Sequence, residues 1–283
     1  MRICSESHDV QAQVRDWRAQ GLRVALVPTM GNLHAGHYSL LELARQHADR
    51  VVASIFVNPT QFGPNEDFSR YPRTLEQDST GLAEQGCHLL FAPSIATLYP
   101  NGSATSTEVH VPVVTEVLEG EFRPGHFVGV ASVVARLFLA VSPDVAIFGQ
   151  KDYQQLLTIR RMVQELGFPI EIVAAPTQRE ANGLAMSSRN QYLSVEERAR
   201  AATLFSTLQS MRTAIHGSVP VGEVEQSARD ALTRAGFSVD YIVLRDAVDL
   251  SPAIAPDRPL VALVAARLGK TRLIDNLTID ADS

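Results

Sequence analysis

The chain has 283 residues, 45% hydrophobic and 20% charged, which is enough apolar material for one large or two ordinary domains. Lys and Arg number 25 against 31 Asp and Glu, so the formal charge of −6 excludes the broad basic surface that wholesale nucleic-acid binding requires. No apolar run approaches the ~20 residues that span a bilayer, and the opening MRICSESHDVQ lacks the apolar core of a signal peptide. Cys4 and Cys87 form no metal or redox spacing, so the expectation is a cytoplasmic protein with free thiols and no membrane contact.

Along the chain, short apolar runs alternate with amphipathic stretches. LRVALV (Leu22–Val27) reads as a buried strand, and HYSLLELARQHA (His37–Ala48) repeats its apolar residues at helical spacing. RVVASIFV (Arg50–Val57) is the next strand, stopped by Asn58-Pro59. RTLEQDSTGLAEQG (Arg73–Gly86) reads as a helix ended by glycine, and HLLFA (His88–Ala92) as a strand. An apolar helix over Phe127–Val141 precedes the strand DVAIFG (Asp144–Gly149), a helix over Asp152–Gly167 and the strand IEIVAAP (Ile170–Pro176). Continuously apolar strands separated by helices predict an α/β domain, a parallel sheet covered on both faces.

After Pro176 the rhythm changes. SVEERARAATLFSTLQSMRTAIHG (Ser194–Gly217) predicts one long helix opened by a Ser194–Glu197 capping box, and a second helix spans about Val221 to Ala235. Three strands follow with no helix between them: Val239–Asp246, Pro259–Gly269 and Thr271–Ile279. The expected organisation is a first domain over residues 1–176 and a smaller α+β domain with an antiparallel sheet over residues 177–283.

Ligands of open parallel sheets sit beyond the carboxyl ends of the strands. Four polar clusters fall just there: PTMGNLHAGH (Pro28–His37), NPTQFG, GQKD and the segment beginning PTQRE. In the first, a helix N-terminus offers unpaired N–H groups and a partial positive charge that attract phosphate. That field disfavours protonated imidazole, so His34 and His37, three residues apart on one helical face, read as neutral N–H donors. Gly36 between them lets a ligand approach the backbone. A glycine turn followed by a histidine that caps or packs is the bland alternative, and the paired histidines argue against it.

HxGH after the first of these strands resembles the signature of the nucleotidyltransferase superfamily, which includes class I aminoacyl-tRNA synthetases and grips the phosphates of ATP with it. AMSSRN (Ala185–Asn190) resembles the later Lys-Met-Ser-Lys-Ser signature, with Ala185 in place of the first Lys and Arg189 near the second. Five blocks in order are similar to the pantothenate synthetase family: PTMGNLHAGH, SIFVNPTQFGPNEDFSRYPRTLEQD, EGEFRPGHFVGV, FGQKDYQQL and GLAMSSRNQYLS. The resemblance implies a Rossmann-like N-terminal domain that binds ATP and pantoate, a smaller C-terminal lid and a homodimer. It implies that pantoate and β-alanine are joined through an acyl adenylate, with ATP split to AMP and pyrophosphate in the presence of Mg2+.

By the same resemblance, His37 is the family's assigned catalytic residue, and His34, Lys151 and Arg189 are expected to act with it in catalysis. ATP is lined by Met30, Gly31, Asn32, Leu33, His34, Ala35, Gly36 and His37, by Gly149, Gln150, Lys151 and Asp152, and by Gln178, Met186, Ser187, Ser188 and Arg189. Gln61 and Gln155 are assigned to pantoate, and Gln61 also to β-alanine. The residue types suit this chemistry. His34, His37, Lys151, Ser187, Ser188 and Arg189 can donate to a leaving pyrophosphate. A neutral glutamine amide can hold an acid without blunting its nucleophilic carboxylate. No metal-ligand set is legible, although Asp78 is a carboxylate that could approach magnesium.

Two positions depart from the family pattern: Asn182 stands where Asp is usual, and Gln178 where an apolar residue is usual, Gln178 being expected to meet adenine through its backbone. Elsewhere the bland reading is preferred. GKT (Gly269–Thr271) lacks the upstream glycine of a P-loop and reads as a hairpin turn. Arg160-Arg161 and Glu196-Glu197 read as solvated helix faces and Trp17 as packing, while Arg123 could meet phosphate or a partner subunit. The competing functions are a nucleotidyltransferase that leaves the nucleotide on another small acid or phosphate acceptor, and a catalytically silent nucleotide-binding protein.

Overall fold

In chain order, strand β1 (Arg2–Cys4) leads to helix α1 (Ser7–Ala19), β2 (Val24–Thr29), α2 (Ala35–His47) and β3 (Arg50–Ile55) in the computed structural model, which describes residues 1–63, 66, 68–254 and 258–281. There follow α3 (Leu75–Glu84), β4 (Leu89–Phe91), two single-turn helices α4 (Ile95–Leu98) and α5 (Glu119–Phe122), α6 (His126–Val141), β5 (Val145–Gly149), α7 (Tyr153–Leu166) and β6 (Glu171–Ala175). Pro64, Asn65 and Asp67, inside the second of the five sequence blocks, lie outside the described residues.

β1 to β6 form one sheet in the order β1-β4-β3-β2-β5-β6, and every pairing is parallel. The apolar runs are continuous because both faces are covered. Val24 and Leu26 of β2 pack in the cluster that contains Val10 and Val14 of α1 and Val130 and Val134 of α6. Ala25 and Val27 turn the other way, among Leu40, Leu41 and Ala44 of α2 and Leu82 of α3. Trp17 is packed in the first cluster, as its spacing with Val10 and Val14 requires.

The remaining elements are α8 (Val195–Ala201), α9 (Thr203–His216), α10 (Val221–Arg234) and the antiparallel sheet of β7 (Ser238–Asp246), β8 (Leu260–Leu268) and β9 (Thr271–Ile279). Two compact units result, Met1–Gln150 with Gln154–Pro176 and Lys151–Tyr153 with Thr177–Ser283. The second has its own core, built by Leu204, Leu208 and Met211 of α9, Leu232 of α10 and Ala262, Val264 and Ala266 of β8. The short segment Lys151–Tyr153 is tied into it by Asn276 Nδ2 donating to the Lys151 carbonyl (2.7 Å) and Tyr153 Oη donating to the Ala247 carbonyl (2.7 Å).

Three expectations need correction. The single helix over Ser194–Gly217 is two helices, interrupted at Ala202 next to β-branched Thr203, whose side chain is restricted in a helix. Its capping box is present, with Glu197 N donating to Ser194 Oγ (3.1 Å) and Ser194 N to Glu197 Oε2 (2.9 Å), so Glu197 does more than face solvent. β1 and α1 have no counterpart in the sequence reading, because three residues carry no detectable period and α1 has only a narrow apolar stripe. Among the described residues no helix is long and apolar enough to cross a membrane.

Candidate active site

β2 lies between β3 and β5. The chain leaves β2 through α2 toward β3, and leaves β5 through α7 toward β6 on the opposite side, so the sheet order reverses between β2 and β5. With all strands parallel, the loops after β2 and β5 flank one crevice, the place where open α/β sheets bind ligands. Met30–His34 and Gly149–Gln150 are those loops, and the residues after β3 run to Gln61 on the same edge.

His34 is the N-cap of α2. Gly36 N donates to His34 Nδ1 (3.1 Å) and His34 N donates to His37 Nδ1 (3.3 Å), a reciprocal cap built from two imidazoles. A ring nitrogen that accepts an N–H carries no proton itself, so both rings hold theirs on Nε2. The ring centroids stand 4.1 Å apart, and both side chains are half-buried. Capping thus converts the pair into two matched N–H donors beside a helix terminus that already favours anions.

The loop before them has a backbone that ordinary residues resist. Gly31 has φ +82° and Asn32 has φ +52°, both left-handed. Gly31 N donates to Thr29 Oγ1 (3.2 Å), Asn32 N to Asp78 Oδ2 (2.8 Å) and Leu33 N to Asp78 Oδ1 (2.9 Å). Both oxygens of Asp78 are therefore engaged by the loop, and Thr74 Oγ1 adds a third donor at 2.9 Å.

Gln61 is 8% exposed and gripped along its whole length. Asn58 Nδ2 donates to its Oε1 (3.2 Å), and its Nε2 donates to Met30 Sδ (2.9 Å). Asn58 is held in turn: its Nδ2 also reaches the Gly129 carbonyl (3.1 Å), and its Oδ1 accepts from Tyr99 Oη (2.8 Å). Behind Gln61, His126 Nδ1 donates to the Gln61 carbonyl (2.8 Å), while its Nε2 accepts from Arg123 Nη1 (3.0 Å). Arg123 completes an ion pair with Glu66 through Nε (2.7 Å) and Nη2 (2.6 Å). Burial, followed by the Arg123 charge, pushes the His126 imidazole down to about 4. Burial alone would raise the Glu66 carboxyl, but the Arg123 hydrogen bond and charge outweigh it and hold Glu66 below its usual range.

Within this chain Arg123 serves Glu66, His126 and the Gln61 carbonyl. Gln155 occupies the first turn of α7, half-buried, and its side-chain amide has no hydrogen-bond partner among the described residues. Gly149 ends β5, and Gln150 N donates to the Ala175 carbonyl (2.8 Å).

The other predicted residues belong to the second unit, which carries Lys151, Asp152, Gln178 and the Met186–Arg189 loop. Ser187 caps the turn Ser188–Tyr192, its Oγ accepting from Arg189 N (3.3 Å). The loop is closed at its base by Asn190, whose Nδ2 donates to the Ala185 carbonyl (3.0 Å) and to Glu180 Oε1 (2.9 Å). Glu180 is paired with Arg198 (2.8 and 2.9 Å), and Arg179 forms a bidentate pair with buried Asp275 (2.7 and 3.0 Å) under the face of Phe205. Gln178 has an exposed side chain and accepts Met186 N (2.9 Å) at its carbonyl. Asn182 keeps the acceptor that an Asp would offer, its Oδ1 taking Leu184 N (3.1 Å), so the amide replaces the carboxylate without loss of that turn.

Asn58, Tyr99 and His126 were not singled out as site residues from the sequence, and Asp78 was noted there only as a carboxylate that could approach magnesium. Asn58 was visible only as the residue before a proline, and the partners that give it meaning lie 41 and 71 residues away. Among the described residues no three His, Cys, Asp or Glu side chains gather as a metal site.

The chain is similar to known proteins over nearly its whole length. A family model described as Pantoate-beta-alanine ligase matches residues 2–278. A pantothenate synthetase of Xanthomonas euvesicatoria pv. vesicatoria is 61% identical over 95% of this chain and 96% of its own length, and one of Xylella fastidiosa is 60% identical over 93% and 94%. The crystal structure of a pantothenate synthetase from Thermus thermophilus superposes with a TM-score of 0.90 at 47% identity, covering 98% of this chain and 99% of that one. A pantoate-beta-alanine ligase from Francisella tularensis, solved in complex with beta-gamma ATP and beta-alanine, superposes with a TM-score of 0.80 at 32% identity, covering 98% and 97%.

Proposed function

The chain belongs to the pantoate-beta-alanine ligase family, and from that membership we propose how its residues divide the work of the reaction. The enzyme condenses pantoate with β-alanine and consumes ATP. A carboxylate oxygen is too poor a leaving group to be displaced by an amine, so the pantoate carboxylate first attacks the α-phosphorus of ATP. An O–P bond forms to the carboxylate, and the bond to pyrophosphate breaks. The deprotonated amine of β-alanine then attacks the acyl carbon, AMP departs with the electron pair, and the nitrogen releases a proton.

His34 and His37 donate their Nε2 protons to the phosphates as charge moves onto the leaving pyrophosphate, the kind of stabilisation that phosphoryl transfer depends on. Lys151 and Arg189 supply fixed positive charge to the same group, and the Ser187 and Ser188 hydroxyls add neutral donors. Gln61 and Gln155 hold pantoate through amides that carry no charge and so leave the carboxylate nucleophilic; Gln61 also meets β-alanine. Met30 to His37, Gly149 to Asp152, Gln178 and Met186 line the nucleotide. Magnesium enters as part of the MgATP substrate. The chain works as a homodimer, which the family resemblance supports, in the cytoplasm, which the buried free thiols Cys4 and Cys87 support.

The observation that carries this division is the reciprocal imidazole cap at the start of α2, beside the point where the strand order reverses. ATP labelled at the α-phosphate tests it. Free labelled AMP is expected in multiple turnovers only with both pantoate and β-alanine present, whereas label retained on the acceptor as product would make the protein a nucleotidyltransferase instead. His37→Ala is expected to lower kcat/KM by about 10²–10³ with an unchanged circular-dichroism spectrum.

A further inference from the structure

We propose that Asp78 is a positioning residue for adenylation, a buried carboxylate that holds the Gly31–Leu33 loop in the shape from which His34 and His37 reach the phosphates. The inference rests on the roles given above to the two imidazoles. Asp78 is 2% exposed and lies in the first turn of α3, an element with no predicted contact to substrate. Its three hydrogen-bond donors are Asn32 N on Oδ2 (2.8 Å), Leu33 N on Oδ1 (2.9 Å) and Thr74 Oγ1 on Oδ2 (2.9 Å). Two of the three come from a loop 46 and 45 residues earlier in the chain, so capping of its own helix does not account for them.

The loop needs such an anchor. Asn32 has a left-handed backbone, which a residue with a side chain adopts reluctantly, and Gly31 beside it does the same. A Cβ at Gly31 would stand 3.0 Å from Asp78 Oδ2 and 3.2 Å from Ile55 Cγ2, so the carboxylate and the loop are fitted against each other. A carboxylate next to a triphosphate would repel it if its charge were exposed. Here three donors absorb that charge, and both oxygens are committed to the protein, an arrangement unlike that of a magnesium ligand. The consequence for binding is specific. The amides of Asn32 and Leu33 are taken by Asp78 and that of His34 by His37 Nδ1, so phosphate recognition at this turn passes to the imidazole Nε2 protons.

Asp78→Asn tests this, because the amide keeps the shape and one acceptor while setting an NH2 against a backbone N–H. The KM for ATP is expected to rise about tenfold to hundredfold and the KM for pantoate by less than about threefold. The magnesium concentration for half-activation at saturating ATP should stay as in the wild type. Thr74→Val, which removes one donor and leaves the loop untouched, is expected to raise the KM for ATP by a smaller factor, about twofold to fivefold. A folded Asp78→Asn enzyme with wild-type KM for ATP, or one whose defect is a raised magnesium requirement, overturns the proposal. If that variant does not fold, a wild-type KM for ATP in Thr74→Val overturns it. His37→Ala separates the bracing role from the roles it serves. If it retains full turnover, the roles of the imidazoles fail; if it is inactive while Asp78→Asn is normal, only the bracing role fails.

Discussion

Gln61 and Gln155 are the same side chain put to different structural use. Gln61 is bonded at both ends of its amide and at its carbonyl, whereas the Gln155 amide has no hydrogen-bond partner among the described residues. Replacing Gln155 therefore removes little that holds the fold. Gln155→Ala is expected to change stability by no more than about 0.5 kcal/mol while raising the KM for pantoate much more than that for ATP, measured by thermal melting and initial rates; equal rises would remove it from the acid's pocket. Both glutamines could be picked out from the sequence because they sit in family-like blocks after strands. The support behind Gln61 could not, since Asn58, Tyr99, Arg123 and His126 come from separate segments, and only folding shows that an asparagine before a proline orients an amide three residues on.

Between elements, α6 packs tightly on the turn after β3. Gly129 on α6 has no room for a side chain: a methyl there would run into the Thr60 carbonyl and lie 2.7 Å from Gln61 N. Since backbone cannot swing aside as a side chain can, Gly129→Ala is expected to cost about 1–3 kcal/mol and to lower kcat/KM for pantoate by displacing Gln61, with urea unfolding and steady-state kinetics as the readouts. A normal pantoate KM in a destabilised variant would show that the turn tolerates the shift. The apolar pattern of α6 was plain in the sequence, but the need for glycine at one position in it was not, because the obstacle is another segment's backbone. The break at Ala202 escaped detection because the pattern continues through it and its backbone stays helical; only its N–H changes partner, to the Arg200 carbonyl.

For the whole molecule, one pH dependence follows from the His126 imidazole, which the fold keeps neutral. His126 titrates near 4 in the fold against 6.5 in an ordinary environment, because burial and then the Arg123 charge oppose its proton. Between those values the unfolded chain binds a proton that the folded chain refuses, so this contribution is complete above about pH 6.5 and is lost as pH falls toward 4. His126→Gln is expected to flatten that part of the decline in Tm between pH 7 and pH 4.5, read by calorimetry; an identical slope in both proteins would show that other groups set it. The alternation of the main strands and helices from β2 onward, the change of architecture after Pro176 and the histidine pair at a helix start follow from local rules of periodicity, capping and charge, and the sequence by itself determined them. Which imidazole nitrogens accept the helix amides, which carboxylate takes the amides of the Asn32–Leu33 turn and which arginine pairs with Glu66 were decided only by tertiary structure. The last two belong to contacts between segments tens of residues apart, and a contact has no signature in either segment alone.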